Sequence, residues 1–256
     1  MKSKMMKFMN ISIAQLWDLV LNPWKITVLK KSPGALLPVE VIGALFPNLS
    51  IPEIKLYRLD LLRNEKLFSE INNRMVEKRQ RRVICQEWDE FLYMVIRFLK
   101  PQFVLETGVF DGQSSAFILQ ALCDNDYGKL ISVDLPAIEV IDGSTDRMSE
   151  TTLPSNCSAG WVIPSYLRTR HQLILGDAKK ILPDLFQEYP EIDIFFHDSL
   201  HTFEHQYFEY SIAWPHLIKG GLLISDDIFW SSAFHRFCKE KNRNYVRLKY
   251  MGAVKK

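Results

Sequence analysis

Apolar residues recur along this chain with two different periods, and the switching between them sets out its elements. Ile13, Leu16, Trp17 and Val20 stand at helical spacing and predict a short amphipathic helix ending near Asn22-Pro23. Residues 31–53 are rich in proline and glycine and read as an ordered connector; a second helical stretch runs from about Ile54 into the basic run Arg74–Arg82. Ile84, Trp88, Phe91, Leu92, Val95, Ile96 and Leu99 then mark a strongly amphipathic helix. Beyond it short continuous apolar runs take over. Phe103–Leu105, Leu130–Asp134, Leu173–Ala178, Ile192–Asp198 and Gly220–Asp227 predict five buried strands. Helices from Ser114 or Ser115 to Cys123, over Lys179–Tyr189 and over Phe203–Ile218 separate them, and two short strands are expected around Met251-Gly252. Regular alternation of strand and helix implies an α/β fold with a mostly parallel sheet.

Composition narrows the class without choosing a function. The 256 residues, 47% hydrophobic and 24% charged, suit one globular α/β domain over 84–256 preceded by a helical extension and connector over 1–83. A net charge of +2 is too near balance to imply nucleic acid as a partner. Cys85, Cys123, Cys157 and Cys238 show neither paired spacing nor a zinc-like histidine partner, so a reducing cytoplasm is the expected location. The basic start is followed by an apolar stretch broken at Gln15 and Asp18, which reads as no signal peptide, and the most hydrophobic window, 34–51, contains Pro38, Glu40 and Pro47. No transmembrane segment is predicted. The apolar N-terminal helix makes a homodimer an expectation, with docking on the domain or lying at a membrane interface as alternatives.

Each predicted strand ends at or beside an acid: Glu106, Asp134, Asp177, Asp198, and the pair Asp226-Asp227. In a parallel sheet these carboxylates collect along the carboxyl edge, where open α/β folds bind ligands. Between Glu106 and Ser115 the chain turns through Gly108 and Gly112, which free the backbone to approach a ligand closely. The spacing G-x-x-x-G and the acid before it speak against a pyrophosphate, while Asp134 stands where a ribose-bearing cofactor needs an acceptor for its hydroxyls. Asp198, Asp226 and Asp227 repel one another unless a cation or protons neutralise them, so Mg²⁺ is expected, with hydrogen bonding to helix N-termini as the alternative. His197, His201 and His205 crowd the same region, and histidine is the usual general base for a hydroxyl. Residues 137–169 are too long for an ordinary connection; Trp161 within them is either a lid over substrate or a packing residue. The basic run Arg74–Arg82 is either a solvated helix end or a patch for an anionic substrate.

The stretches ETGVFDGQSS (106–115), HDSLHTFEH (197–205) and WPHLIKGGLLISDDIFW (214–230), in that order, resemble the class I S-adenosylmethionine (SAM)-dependent methyltransferases, closest to the bacterial small-molecule and sugar O-methyltransferases, a branch that includes cephalosporin hydroxylase-like relatives. The resemblance covers roughly 84–256. It implies a doubly wound, Rossmann-like seven-stranded sheet with an antiparallel C-terminal edge. It also implies that Glu106, Gly108 and Gly112 lie around the methionine part of SAM, that Asp134 holds the ribose, and that Asp177 and Ala178 border the adenine, with Asp111 and Ser114 completing the cofactor set. Asp198, Asp226 and Asp227 would hold Mg²⁺, and His201, in the stretch Asp198-x-x-His201, would serve as base beside Asp198. The implied reaction is O-methylation of a hydroxyl on a sugar or other small molecule; a metal-independent O- or N-methyltransferase and a non-catalytic binding protein on the same fold are the rivals.

Overall fold

The computed structural model describes residues 37–135 and 152–256, so the helix expected over 13–20 and the part of the long connection before residue 152 lie outside the described residues. Helices α1 (Pro38–Leu45), α2 (Ile51–Leu62), α3 (Glu65–Arg79) and α4 (Glu87–Leu99) come first. The sheet region follows as β1 (Phe103–Thr107), α5 (Gln113–Asp124), β2 (Lys129–Asp134), β3 (His171–Leu175), α6 (Ala178–Glu188), β4 (Ile192–His197), α7 (Phe203–Ala213), β5 (Leu217–Ser225), α8 (Ala233–Glu240), β6 (Tyr245–Leu248) and β7 (Met251–Lys255). The strands form a seven-stranded sheet in the order β3-β2-β1-β4-β5-β7-β6, parallel through β5 and antiparallel at β7 and β6. This is the doubly wound α/β architecture expected of the sequence.

Strand alternation divides the core between the two faces of the sheet. Val104, Ile194, Phe196, Leu222 and Ile224 face one side, where α1–α5 cover them. Leu105, Ile131, Val133, Phe195 and Leu223 face the other, under α6, α7 and α8. Because β1 and β4 are central and covered on both faces, they read as continuous apolar runs.

Helix α8 was not expected from the sequence, and four other elements depart from the expectation in type or bounds. Residues 38–45 are a helix rather than part of a connector: Pro38 opens its first turn, where a missing N–H costs nothing, and Val41, Ile42 and Leu45 enter the core. The stretch from Ile54 is two helices, α2 and α3, because Asn64 stops one and caps the next, accepting from the Leu67 N–H at 2.9 Å. The hairpin turn falls at Lys249-Tyr250, before Met251, since Met251, Gly252 and Ala253 pair with β6 and β5. The helix through Phe203 stops at Ala213, and Trp214–His216 form one 3₁₀ turn into β5. Among the described residues no helix is long and apolar enough to cross a membrane.

Candidate functional site

The carboxyl ends of β1, β2, β4 and β5 meet because backbone hydrogen bonds continue past the strands. The Gly108 N–H donates to the Val133 carbonyl (2.9 Å), the Asp198 N–H to Thr107 (2.8 Å) and the Asp226 N–H to His197 (2.9 Å). Glu106, Asp134, Asp198 and Asp226 are thereby brought to one edge, as the strand ends predicted. Two cavities open there. The larger, about 610 Å³, lies over the turn after β1 and is lined by Gly108, Val109, Phe110, Asp134, Asp177, Ala178, Asp198, Ser199 and His205 among others. The smaller, about 250 Å³, lies beneath α3 and α4 against Gly112, Gln113 and Ser114. Val109, Phe110 and Asp198 line both, so the two are contiguous.

Besides lining the two cavities, the glycines bring backbone close to backbone. At Gly108, with φ +83°, a Cβ would stand 2.1 Å from the Asp198 carbonyl oxygen; at Gly112, with φ +94°, it would meet Gly160 Cα at 2.6 Å. They allow backbone to approach backbone, locking the β1 turn against the loop after β4 and against residues 160–163. Asp134 orders the same turn, its Oδ2 accepting the N–H groups of Val109 (3.1 Å) and Phe110 (2.8 Å). Its Oδ1 accepts from Leu135 at 2.8 Å, which leaves that oxygen a second lone pair toward the cavity.

Glu106 is fully buried and receives three hydroxyls, from Ser114 (2.9 Å), Ser115 (2.6 Å) and Ser132 (2.8 Å). Burial pushes its carboxyl up to about 7 against those donors. It therefore underpins the turn from below and is walled off from a ligand. Asp111 is likewise turned inward: its Oδ1 accepts from Arg79 (2.6 Å) and from the Trp161 indole (2.7 Å), and its side chain is 5% exposed. Trp161 is thus a buried staple that fixes residues 160–163, and Arg79, which also donates to the Thr152 carbonyl at 2.8 Å, is half-buried with its side chain largely covered. The lid reading does not describe Trp161, and Arg79 departs from a basic run that is otherwise solvated at Lys78, Arg81 and Arg82. Asp177 caps α6 through the Lys179 N–H at 2.9 Å while still lining the larger cavity beside Ala178.

His201 lies in the loop before α7, with Nε2 3.6 Å from Asp198 Oδ1 and Nδ1 3.7 Å from Asp227 Oδ2. Its Nε2 is buried without a hydrogen-bond partner. Burial, then the nearby Glu106, Asp227 and Asp134, holds the Asp198 carboxyl well above its usual range, and burial with Asp198 and Asp227 lifts Asp226 to about 7. Asp227 is raised too, by burial, with His201 and the Trp230 side chain pulling it back. These acids are electrostatically coupled, as the sequence implied. Yet among the described residues no three His, Cys, Asp or Glu side chains converge on a common metal position. The His201 ring stands between Asp198 and Asp227 instead, so the donor set does not fit the expected Mg²⁺.

Sequence reasoning missed the hub under this floor. Glu209, in the middle of α7 and 0% exposed, accepts from Thr107 Oγ1 (2.6 Å), His197 Nδ1 (2.6 Å), Ser199 Oγ (2.9 Å) and His205 Nε2 (2.8 Å). These donors more than offset its burial and hold its carboxyl down at about 2; burial keeps His197 neutral. His205 four positions earlier on the helix was the available signal. Trp230, 70% exposed with its ring 6.0 Å from His201, was also missed.

Comparison with known proteins gives a family match and a shared fold. Residues 105–228 match a family described as a methyltransferase domain. An O-methyltransferase from Bacillus cereus, solved in complex with S-adenosylhomocysteine (SAH), is similar at TM-score 0.53 and 14% identity, over 77% of this chain and 93% of that one. The O-methyltransferase TomG from Streptomyces achromogenes, involved in tomaymycin synthesis and solved with SAM, is similar at TM-score 0.50 and 16% identity, over 75% and 91%. No curated protein matches the sequence significantly.

Proposed function

We propose that this chain, whose residues 105–228 match a methyltransferase-domain family and whose fold is that of solved O-methyltransferases, is a SAM-dependent enzyme that methylates a hydroxyl of a small molecule, with a sugar among the candidates, using His201 as general base. The observation that carries this reading is the position of His201: its buried Nε2 has no hydrogen-bond partner and lies 3.6 Å from Oδ1 of Asp198, the residue that lines both cavities. The larger cavity fits SAM by its chemistry. Asp134 keeps a lone pair for ribose hydroxyls, and the small Ala178 beside the exposed Leu135 offers an apolar surface for a purine.

When bound, SAM supplies a methyl group already made electrophilic by its sulfonium, so covalent help from the protein is unnecessary. Four tasks fall to the chain. The turn ordered by Asp134 holds the cofactor side rigid; the walls of the smaller cavity orient the acceptor oxygen; burial excludes water; and His201 Nε2 takes the hydroxyl proton. Asp198 and Asp227, on either side of the ring, then face an imidazolium, whose charge relieves the repulsion among the carboxylates.

The test is a single-turnover assay with methyl-labelled SAM and a panel of hydroxyl compounds. His201→Ala should lower the rate by roughly 10²–10⁴-fold, the usual contribution of a positioned base, while SAH binding is unchanged. Undiminished turnover in that variant would remove His201 from the mechanism.

A further inference from the structure

Two buried acids that the reaction just described does not use line the smaller cavity, Asp89 and Asp111; Asp111 is held by Arg79 and Trp161, whereas Asp89 has no such counter-charge. Asp89, on α4, is 0% exposed and lines the cavity with Trp88, Gln113, Asp198 and Asp226. Its two oxygens are unequal. Oδ2 is committed to the fold, accepting the Gln86 N–H at 2.9 Å and the Gln113 amide at 2.8 Å. Oδ1 is buried without any partner. A buried carboxylate oxygen without a donor is costly, and where it lines a cavity the missing donor is naturally a ligand's.

Charge points the same way. Asp89, Asp111, Asp198 and Asp226 line this small space, and Arg81 is the basic side chain on its described lining; Asp111 is neutralised by Arg79 at 2.6 Å. Arg81 is 62% exposed and lies 3.8 Å from Asp111 Oδ2, so it sits at the rim and is already engaged. The neighbouring Glu90 is paired away from the cavity, with both its oxygens on Arg58 at 2.8 and 3.0 Å. Trp88 adds an aromatic wall of the kind that favours a cation. At about 250 Å³ the space is below the usual range of about 300–1,000 Å³ for ligand sites, which limits the acceptor to a small molecule.

We propose that Asp89 is a specificity residue of the acceptor site, and that the acceptor is a small hydroxyl compound bearing a protonated amine, such as an amino sugar or amino alcohol, whose ammonium donates to Asp89 Oδ1. Phosphorylated and carboxylated acceptors are rejected by the same carboxylates. The raised Asp89 carboxyl, pushed to about 7 first by burial, agrees with a group lacking its counter-charge, and binding of an ammonium should release protons. The assignment rests on the methyltransferase reading for the adjoining cavity.

Asn at position 89 separates recognition from folding. Its carbonyl oxygen can keep the helix-capping role of Oδ2 while its NH₂ replaces Oδ1, presenting donors where the pocket had an acceptor. The experiment is calorimetry on the SAH-loaded wild type and Asp89→Asn, using amino alcohols, amino sugars and hydroxyphenyl amines, each with its N-acetylated and phosphorylated counterpart. For the wild type the amine form should bind at least tenfold tighter than either counterpart, with proton release visible in buffers of different ionisation enthalpy. Asp89→Asn should lose that preference, with SAH affinity and thermal unfolding within twofold and a few degrees of wild type. Preference for the neutral or anionic forms, or no binding of any amine while SAH binds, overturns the assignment. So does a tenfold loss of SAH affinity in Asp89→Asn with acceptor preference intact, which would assign Asp89 to the cofactor's own ammonium. Failure of the wild type to bind SAH would instead overturn the methyltransferase reading beneath it.

Discussion

Glu209→Gln tests whether the buried hub beneath the site is maintained by an ionised carboxylate. In the folded chain that carboxyl lies at about 2, against an ordinary value of 4.5, because four donors point at it. Each pKa unit corresponds to about 1.36 kcal/mol, which gives roughly 3 kcal/mol; since His197 is itself neutral, part of that attraction is absent and about 2–3 kcal/mol is the working figure. The sign follows from proton binding. A depressed acid stabilises the fold above its unfolded value of about 4.5, and that stabilisation is lost as pH falls toward 2, where the unfolded state binds the extra proton. The neutral amide of Gln has no such dependence. Urea unfolding followed by circular dichroism should therefore show the variant about 2–3 kcal/mol less stable at pH 7, with the gap shrinking steadily below pH 5. A gap equally large at pH 4 and pH 7 would mean shape rather than charge is at stake, and no gap at pH 7 would refute the hub. Because Ser199 and His205 line the larger cavity and both lean on Glu209, SAH affinity should also fall, by about tenfold for each 1.4 kcal/mol lost in their placement.

Gly108→Ala should be severe, since φ +83° costs roughly 1–2 kcal/mol for an L residue and the new Cβ would stand 2.1 Å from a carbonyl oxygen. SAH binding should be lost, whereas Gly220→Ala, at φ +87° with its nearest neighbour 3.6 Å away, should cost only the backbone strain; equal effects in thermal unfolding would refute the contact argument. Trp161→Phe removes one charge-assisted hydrogen bond to Asp111 and should destabilise by about 1.5–3 kcal/mol, as read by chemical denaturation. Dialysis against EDTA should leave methyl transfer intact, because His201 separates Asp198 from Asp227; restored dependence on added Mg²⁺ would show that the acids close around a cation when substrates bind.

What the sequence made legible was whatever repeats locally. Five apolar runs and their acidic ends placed the sheet, and the right-handed crossovers of a parallel fold then carried Asp134, Asp198 and Asp226 to one edge. Helix α1 was hidden because Pro38 and Pro47 resemble a connector until Pro38 is seen to occupy a first turn. Helix α8 was unread although Phe234, Phe237 and Cys238 stand at helical spacing; with eight residues it gives little periodicity to count. The partners of Asp111 were beyond reach, because Arg79 and Trp161 lie 32 and 50 positions away and no spacing rule joins them. The same limit affected Glu209. On a helix surface it passes for a solvated acid, and only the packing of α7 on β4 shows four donors converging on it.

The most direct measurement is isothermal calorimetry of SAH against the full-length protein. Binding of one SAH per chain, with affinity lost in Gly108→Ala and retained in His201→Ala, is the result expected of a methyltransferase whose cofactor lies over the β1 turn. Absence of binding at millimolar SAH, by a protein that is folded under the same conditions, would contradict it.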